Sequence, residues 1–173
     1  MKPDQSFKLS PLELPEAPFM PTKLENRIPP PLVLAFCLAM VWFTKHVYDY
    51  QQLPREELRL WAIPYALMGI AIILLAVMRF ARFKTTVNPL NPESASHLVR
   101  DGIFAYTRNP MYLGMALILF SAILAIGHMI ALMWLLFFVL YIQRFQIGPE
   151  ERAIRDKFGE EYDVYCEQVR PWL

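Results

Sequence analysis

Four apolar runs alternate with polar segments along the chain, roughly Pro31 to Tyr48, Leu58 to Phe80, Met111 to Gly127 and Met129 to Phe145. Each is close to the ~20 residues an α-helix needs to cross ~30 Å of hydrocarbon, so the pattern predicts four membrane helices. The last two runs abut. Taken as one helix they would reach about 50 Å, too long for one crossing and slightly short for two, and Gly127 with His128 at the midpoint favours a tight helical hairpin. Beyond Pro149 the pattern changes. Ile154, Phe158, Tyr162, Tyr165 and Val169 recur at steps of three and four among charged residues, which predicts an amphipathic helix from Pro149 to Val169 lying along the membrane surface. The predicted fold class is all-α, a multi-pass transmembrane protein of about four membrane helices capped at one end by that C-terminal helix.

Composition agrees: 55% of the 173 residues are hydrophobic and 19% charged, too apolar for an ordinary soluble domain. Residues 1–31 differ from the rest, carrying eight of the fifteen prolines with balanced charge, a composition that cannot sustain a helix interior. This divides the chain into a proline-rich arm (1–30), two N-terminal membrane helices (31–80) and a C-terminal core (81–173). The arm does not resemble a signal peptide, since the first apolar run starts too late and lacks a small-residue cleavage site. Arg79, Arg82, Lys84, Arg100 and Arg108 lie between the second and third runs, and Arg144, Arg152, Arg155, Lys157 and Arg170 follow or close the fourth. Arg55 is the only Lys or Arg between residues 46 and 57. The excess of positive charge therefore places both termini and the loop from Arg82 to Asn109 in the cytoplasm, and all polar candidates for chemistry fall on that face.

A net charge of +1 gives no pull toward nucleic acid. Cys37 and Cys166 have no redox or zinc spacing, and His46, His97 and His128 have no ligand partner at helical spacing, so no metal is expected. None of the six glycines forms a dinucleotide or phosphate-loop motif, and Ser94, Ser96 and Ser121 lack a hydrolase elbow. The membrane runs are almost free of mid-depth polar residues, which disfavours a transporter.

Two polar helix starts remain. In "DGIFAYTRNPMYLG" (101–114) Asn109 is a favoured N-cap, Pro110 a favoured first residue and Arg108 an interface anchor. In "IGPEER" (147–152) Pro149 opens a helix, Glu150 and Glu151 suit its positive end, and Glu151 can pair with Arg155 one turn on. Each has this purely structural explanation. Together on one membrane face they also suit a zwitterionic ligand, with N–H groups for an anion and a carboxylate for hydroxyls or an amino group. Phe104, Tyr106, Tyr112, Tyr162 and Tyr165 could stack on a base or face a cation, or serve as an interfacial belt.

From about Pro89 to Trp172, "NPESASHLVRDGIFAYTRNPMYLG" followed by "EERAIRDKFGEEYDVYCEQVRPWL" resembles the isoprenylcysteine carboxyl methyltransferase family, integral-membrane enzymes that use S-adenosylmethionine, with phospholipid methyltransferases as relatives. The resemblance implies a cofactor pocket at the cytoplasmic ends of the last two membrane helices. His97, Leu98 and Val99 would line the adenosine side, Phe104 would pack on the cofactor, Asn109, Pro110, Met111 and Tyr112 would hold it from the third helix, and Glu150 from the far side. Asn109 replaces the histidine of the eukaryotic pattern, keeping a hydrogen-bonding side chain without a titratable ring. Gln146 stands where those enzymes place an arginine near the substrate carboxylate, with Arg144 two residues earlier. Arg144, Gln146 and Glu150 are thus the catalytic candidates. No G-x-G element of the phospholipid enzymes is present. The expected activity is S-adenosylmethionine-dependent methyl transfer to an amphiphilic, lipid-like acceptor, first a carboxylate of an isoprenylcysteine-like substrate. A phospholipid or other amine or thiol acceptor, or a non-catalytic membrane accessory protein of the same fold, is the alternative.

Overall fold

The computed structural model describes residues 25–47, 55–82 and 98–173. Its elements are helical: α1 (Pro30–Val47), α2 (Arg55–Arg82), α3 (Pro110–Ile126), α4 (Leu132–Ile142), α5 (Gly148–Phe158) and α6 (Glu160–Gln168), with short 3₁₀ turns at Gly102–Ala105 and Met129–Ala131. Pro30–Val47, Glu57–Arg82 and the run from Met129 to Phe158 are long and apolar enough to cross a membrane, and Pro110–Ile126 is a shorter apolar helix. The all-α, multi-pass architecture is the one the hydropathy pattern predicts.

Helical spacing assigns the interior. Val33, Cys37 and Val41 repeat every four residues on α1 and are buried against Met115, Leu119 and Ile123 of α3 and Phe138 and Ile142 of α4. Trp134 on α4 donates its indole N–H to Thr44 Oγ1 at 3.1 Å, and Thr44 donates back to the Met40 carbonyl, so this buried hydroxyl is satisfied within the bundle. The outward faces stay apolar: Leu60, Trp61, Ile63, Leu67 and Leu74 of α2 are exposed, a pattern that suits lipid as the solvent.

The most extensive helix pairing is α2 along α3. It closes on two glycines. A Cβ on Gly69 would lie 2.6 Å from the Gly114 carbonyl oxygen, and one on Gly114 2.6 Å from the Gly69 carbonyl oxygen. Where lipid competes as well as any side chain for apolar surface, close backbone approach of this kind supplies the contact that holds helices together.

The predicted hairpin forms where expected. Gly127 ends α3 in the left-handed region (φ 74°), and its N–H donates to Ile123 O. The C-terminal segment does not match the expectation of one surface helix from Pro149 to Val169. The fourth membrane helix runs through Pro149 to Phe158, and the break comes at Gly159, whose φ of 54° and ψ of −129° suit glycine alone. The physical reason lies just upstream. In an α-helix the carbonyl of Phe145 would accept from residue 149, but a proline has no N–H to give. The chain widens there into a π-turn (Gln143–Ile147), and the Phe145 carbonyl accepts instead from the backbone N–H of Asn26 at 3.0 Å.

Candidate functional site

The loop before α3 is pinned from both sides. Asp101 pairs with Arg79 at the end of α2 (2.7 Å), and Gly102 turns at φ 62°, where a Cβ would lie 2.5 Å from the Arg79 guanidinium. Val99 and Phe104 are buried with Ala76, against Phe80, Ile103 and Met111, and the Phe80 and Phe104 rings meet edge to face at 5.1 Å. Leu98 packs with Tyr162, Tyr165 and Val169 of the C-terminal segment. Tyr165 donates its hydroxyl to the Phe104 carbonyl at 2.6 Å, and Arg100 pairs with Glu161 at 3.0 Å. Burial holds the phenols of Tyr162 and Tyr165 well above their usual range, so both remain neutral donors. Loop and C-terminal helix thus form one wall. His97 lies outside the described residues.

The "RNP" triplet has a different task from capping. Arg108 reaches Glu151 Oε1 with Nη2 (2.7 Å) and Nε (3.0 Å), and its Nη1 donates to the carbonyls of Val169 (2.7 Å) and Cys166 (3.2 Å). One guanidinium therefore joins the start of α3, the first turn of α5 and the carbonyl end of α6, where cations are favoured. Burial pulls the Arg108 pKa down, but the Glu151 hydrogen bond and charge push it up, and the net shift is upward. The expected pairing of Glu151 with Arg155 does not form. Glu151 is held by Arg108, and Arg155 pairs with Asp163 (2.8 Å).

Asn109 makes no side-chain cap on α3; its Nδ2 donates to the Pro171 carbonyl at 3.1 Å, which also accepts from Thr107 Oγ1 at 3.1 Å. The Arg108 N–H adds a bond to the Arg170 carbonyl (3.0 Å), and Trp172 donates its indole N–H to Gln143 Oε1 at 2.7 Å. The last residues of the chain are therefore stitched across both the α3 entry and the π-turn. Sequence reasoning missed Thr107, Gln143, Pro171 and Trp172, and the carbonyl of Pro171 carries no side-chain signal that could have shown its role.

Pro110 stands buried at the first position of α3, and two residues on the buried Tyr112 donates its hydroxyl to Glu150 Oε1 at 2.5 Å. This bond ties α3 to α5 directly behind the Arg108–Glu151 pair. One oxygen of Glu150 accepts from the phenol, and a carboxyl group has hydrogen-bonding capacity beyond that single bond. The sequence candidates thus fall into neighbouring groups: Val99, Phe104 and Met111 pack with Ala76 of α2, Leu98 packs with Tyr162, Tyr165 and Val169, Asn109 bonds Pro171, and Tyr112 bonds Glu150. The structure places two other candidates elsewhere. Gln146 is fully buried and donates Nε2 to the Ile28 carbonyl (2.8 Å), while Arg144 pairs with Glu25 (3.1 Å) and lies over the Phe145 ring.

Among known proteins, an uncharacterized protein of Haemophilus influenzae is 43% identical over 63 residues, which cover 36% of this chain and the whole of that protein. No solved structure matches the chain closely enough to add to this. The model of the phospholipid methyltransferase family matches residues 58–161, from α2 through the first turn of α6. That match takes in the loop, the α3 entry and the Glu150–Glu151 turn and spans more than half of the chain, which belongs to the phospholipid methyltransferase family.

Proposed function

We propose that the protein transfers a methyl group from S-adenosylmethionine to a lipid-like acceptor, at a pocket between the α3 entry and the first turn of α5 on the cytoplasmic side of the membrane. The observation that carries this reading is the Tyr112–Glu150 hydrogen bond, a carboxylate held at the junction of the two motifs. When bound, the cofactor supplies a methyl group already activated on a sulfonium. Glu150 would take its hydroxyl or amino groups, the first turn of α3, which no side chain caps, would face its carboxylate, and Val99, Phe104 and Met111 would give its base an apolar wall.

Such a transfer needs little acid or base help when the acceptor is anionic or an amine, so the residues' work is to align donor and acceptor and to exclude water. The Arg108 clamp serves that end by fixing α3, α5 and α6 in one arrangement. The exposed apolar helix faces give an amphiphile a lateral route from lipid. An isoprenylcysteine-like carboxylate is the first acceptor to test, on the resemblance of the "RNPMYLG" and "EER…FGEEY" stretches. The family match favours a second reading, a phospholipid amine. Incubation of the purified protein with methyl-labelled cofactor and either a prenylcysteine analogue or phospholipid vesicles separates them. Label in the prenylcysteine carboxyl ester supports the first, label in the headgroup the second, and label in neither contradicts the enzyme.

A further inference from the structure

The last membrane helix carries a second polar cluster that methyl transfer does not use. Arg144 stands in the π-turn and Arg152 in α5. Residues eight apart on an uninterrupted α-helix point about 80° away from one another. The extra residue of a π-turn removes most of that difference, and the two guanidiniums meet on one face. They clasp a single carboxylate between them: Arg144 Nη1 lies 3.1 Å from Glu25 Oε1, and Arg152 Nη2 lies 2.6 Å from Glu25 Oε2. Glu150 leaves the helix about 200° around from Arg152 and turns to Tyr112, so the arginine pair is separate from the proposed methyl-transfer pocket.

The segment that delivers Glu25 docks with conflicts of its own. Asn26 sits at φ 54°, in the left-handed region, and its Oδ1 is buried without a hydrogen-bond partner, as is Oε1 of Gln146, whose amide N–H bonds the Ile28 carbonyl. The Glu25 side chain is only 12% exposed, whereas Arg144 and Arg152 keep 32% and 41% of theirs, so the arginines are more open to solvent than the carboxylate they hold. Depth matters as well. Counted from Met129 at 1.5 Å per residue, Arg144 lies about 22 Å and Arg152 about 34 Å along the helix, bracketing the edge of a ~30 Å hydrocarbon layer, where lipid phosphates sit.

We propose that Arg144 and Arg152 form a seat for the phosphate of an anionic lipid headgroup, and that Glu25 is its built-in occupant, displaced when the phosphate binds. Guanidinium forks present paired N–H groups that match phosphate as well as carboxylate, and phosphate offers an additional oxygen to two donors already held in register.

The test is calorimetric binding of dioctanoyl phosphatidate, and in parallel of inorganic phosphate, to the full-length protein in non-ionic detergent. Glu25→Gln and Glu25→Ala should each tighten phosphatidate binding by about tenfold or more, because the competing carboxylate is gone. Adding Arg144→Gln or Arg152→Gln to either variant should abolish that gain. An unchanged affinity in both Glu25 variants overturns the proposal, as does a gain that survives loss of the arginines. An equal gain for inorganic phosphate assigns the seat to a free anion and overturns the lipid headgroup as its ligand. S-adenosylhomocysteine binding in the same samples reports on the other pocket, so failure of the methyltransferase reading stays distinguishable from failure of this one.

Discussion

Arg108 concentrates more of the site's order than any neighbouring side chain. It joins a carboxylate and two helix-end carbonyls that come from distant parts of the chain. With side-chain exposures of 11% for Arg108 and 21% for Glu151, the pair is well beyond the surface regime in which ion pairs contribute little. Arg108→Gln leaves Glu151 and both carbonyls under-satisfied and should destabilise the protein by about 2–4 kcal/mol in a denaturation titration. Glu151→Gln, which leaves Arg108 its carbonyl partners, should lose less. At Tyr112 the expectation is different, because in the proposed pocket the bond to Glu150 would position a ligand-binding group. Tyr112→Phe should keep the fold and weaken S-adenosylhomocysteine binding by about tenfold. That Arg108, Asn109 and Tyr112 stand at the start of α3 and Glu150 at the start of a later helical turn was legible in the sequence, but their partners were not. Asn109 has the residue type of an N-cap, yet its amide is spent on the Pro171 carbonyl, a partner 62 residues away that no local pattern announces.

Element boundaries were mostly legible because hydrophobic runs and glycines mark them. α1, α2 and α3 begin and end within a few residues of the apolar runs, and Gly127 turns the chain as expected. The exception is Pro149. Its residue type reads as a helix start, but the helix continues through it because the π-turn and the Asn26 N–H supply what the proline removes. Pro149→Ala returns a donor to the Phe145 carbonyl. The account expects the Asn26 amide to lose its protection in hydrogen exchange, while α4 and α5 keep theirs. The glycine contact between α2 and α3 gives a second expectation at this scale. Gly69→Ala forces the backbones apart at a site with no flexible neighbour to yield, so it should cost about 1–3 kcal/mol of stability, with Gly114→Ala similar.

For the whole molecule, the chain is a membrane-embedded bundle whose chemistry-bearing residues gather at one end. The distribution of Lys and Arg predicts that this end faces the cytoplasm. Leu173 is 73% exposed beside the site, and Cys37 is fully buried. A Leu173→Cys substitution in a Cys166→Ser background should therefore react with a membrane-impermeant maleimide in inverted vesicles and not in right-side-out ones. The opposite pattern would invert the topology. The family and its membrane fold follow from sequence. The acceptor does not, because the residues expected to grip its acid, Arg144 and Gln146, are engaged by Glu25 and the Ile28 carbonyl, contacts set by the bundle as a whole.

The central claim, that the Tyr112–Glu150 pair marks an S-adenosylmethionine pocket, is tested most directly by calorimetric titration of S-adenosylhomocysteine into the purified protein and its Glu150→Gln variant. Saturable binding to the native chain, lost in a variant that retains its helicity and membrane insertion, is the predicted result. Binding of equal affinity to both would remove Glu150 from the pocket, and no binding to folded native protein would contradict the methyltransferase account itself.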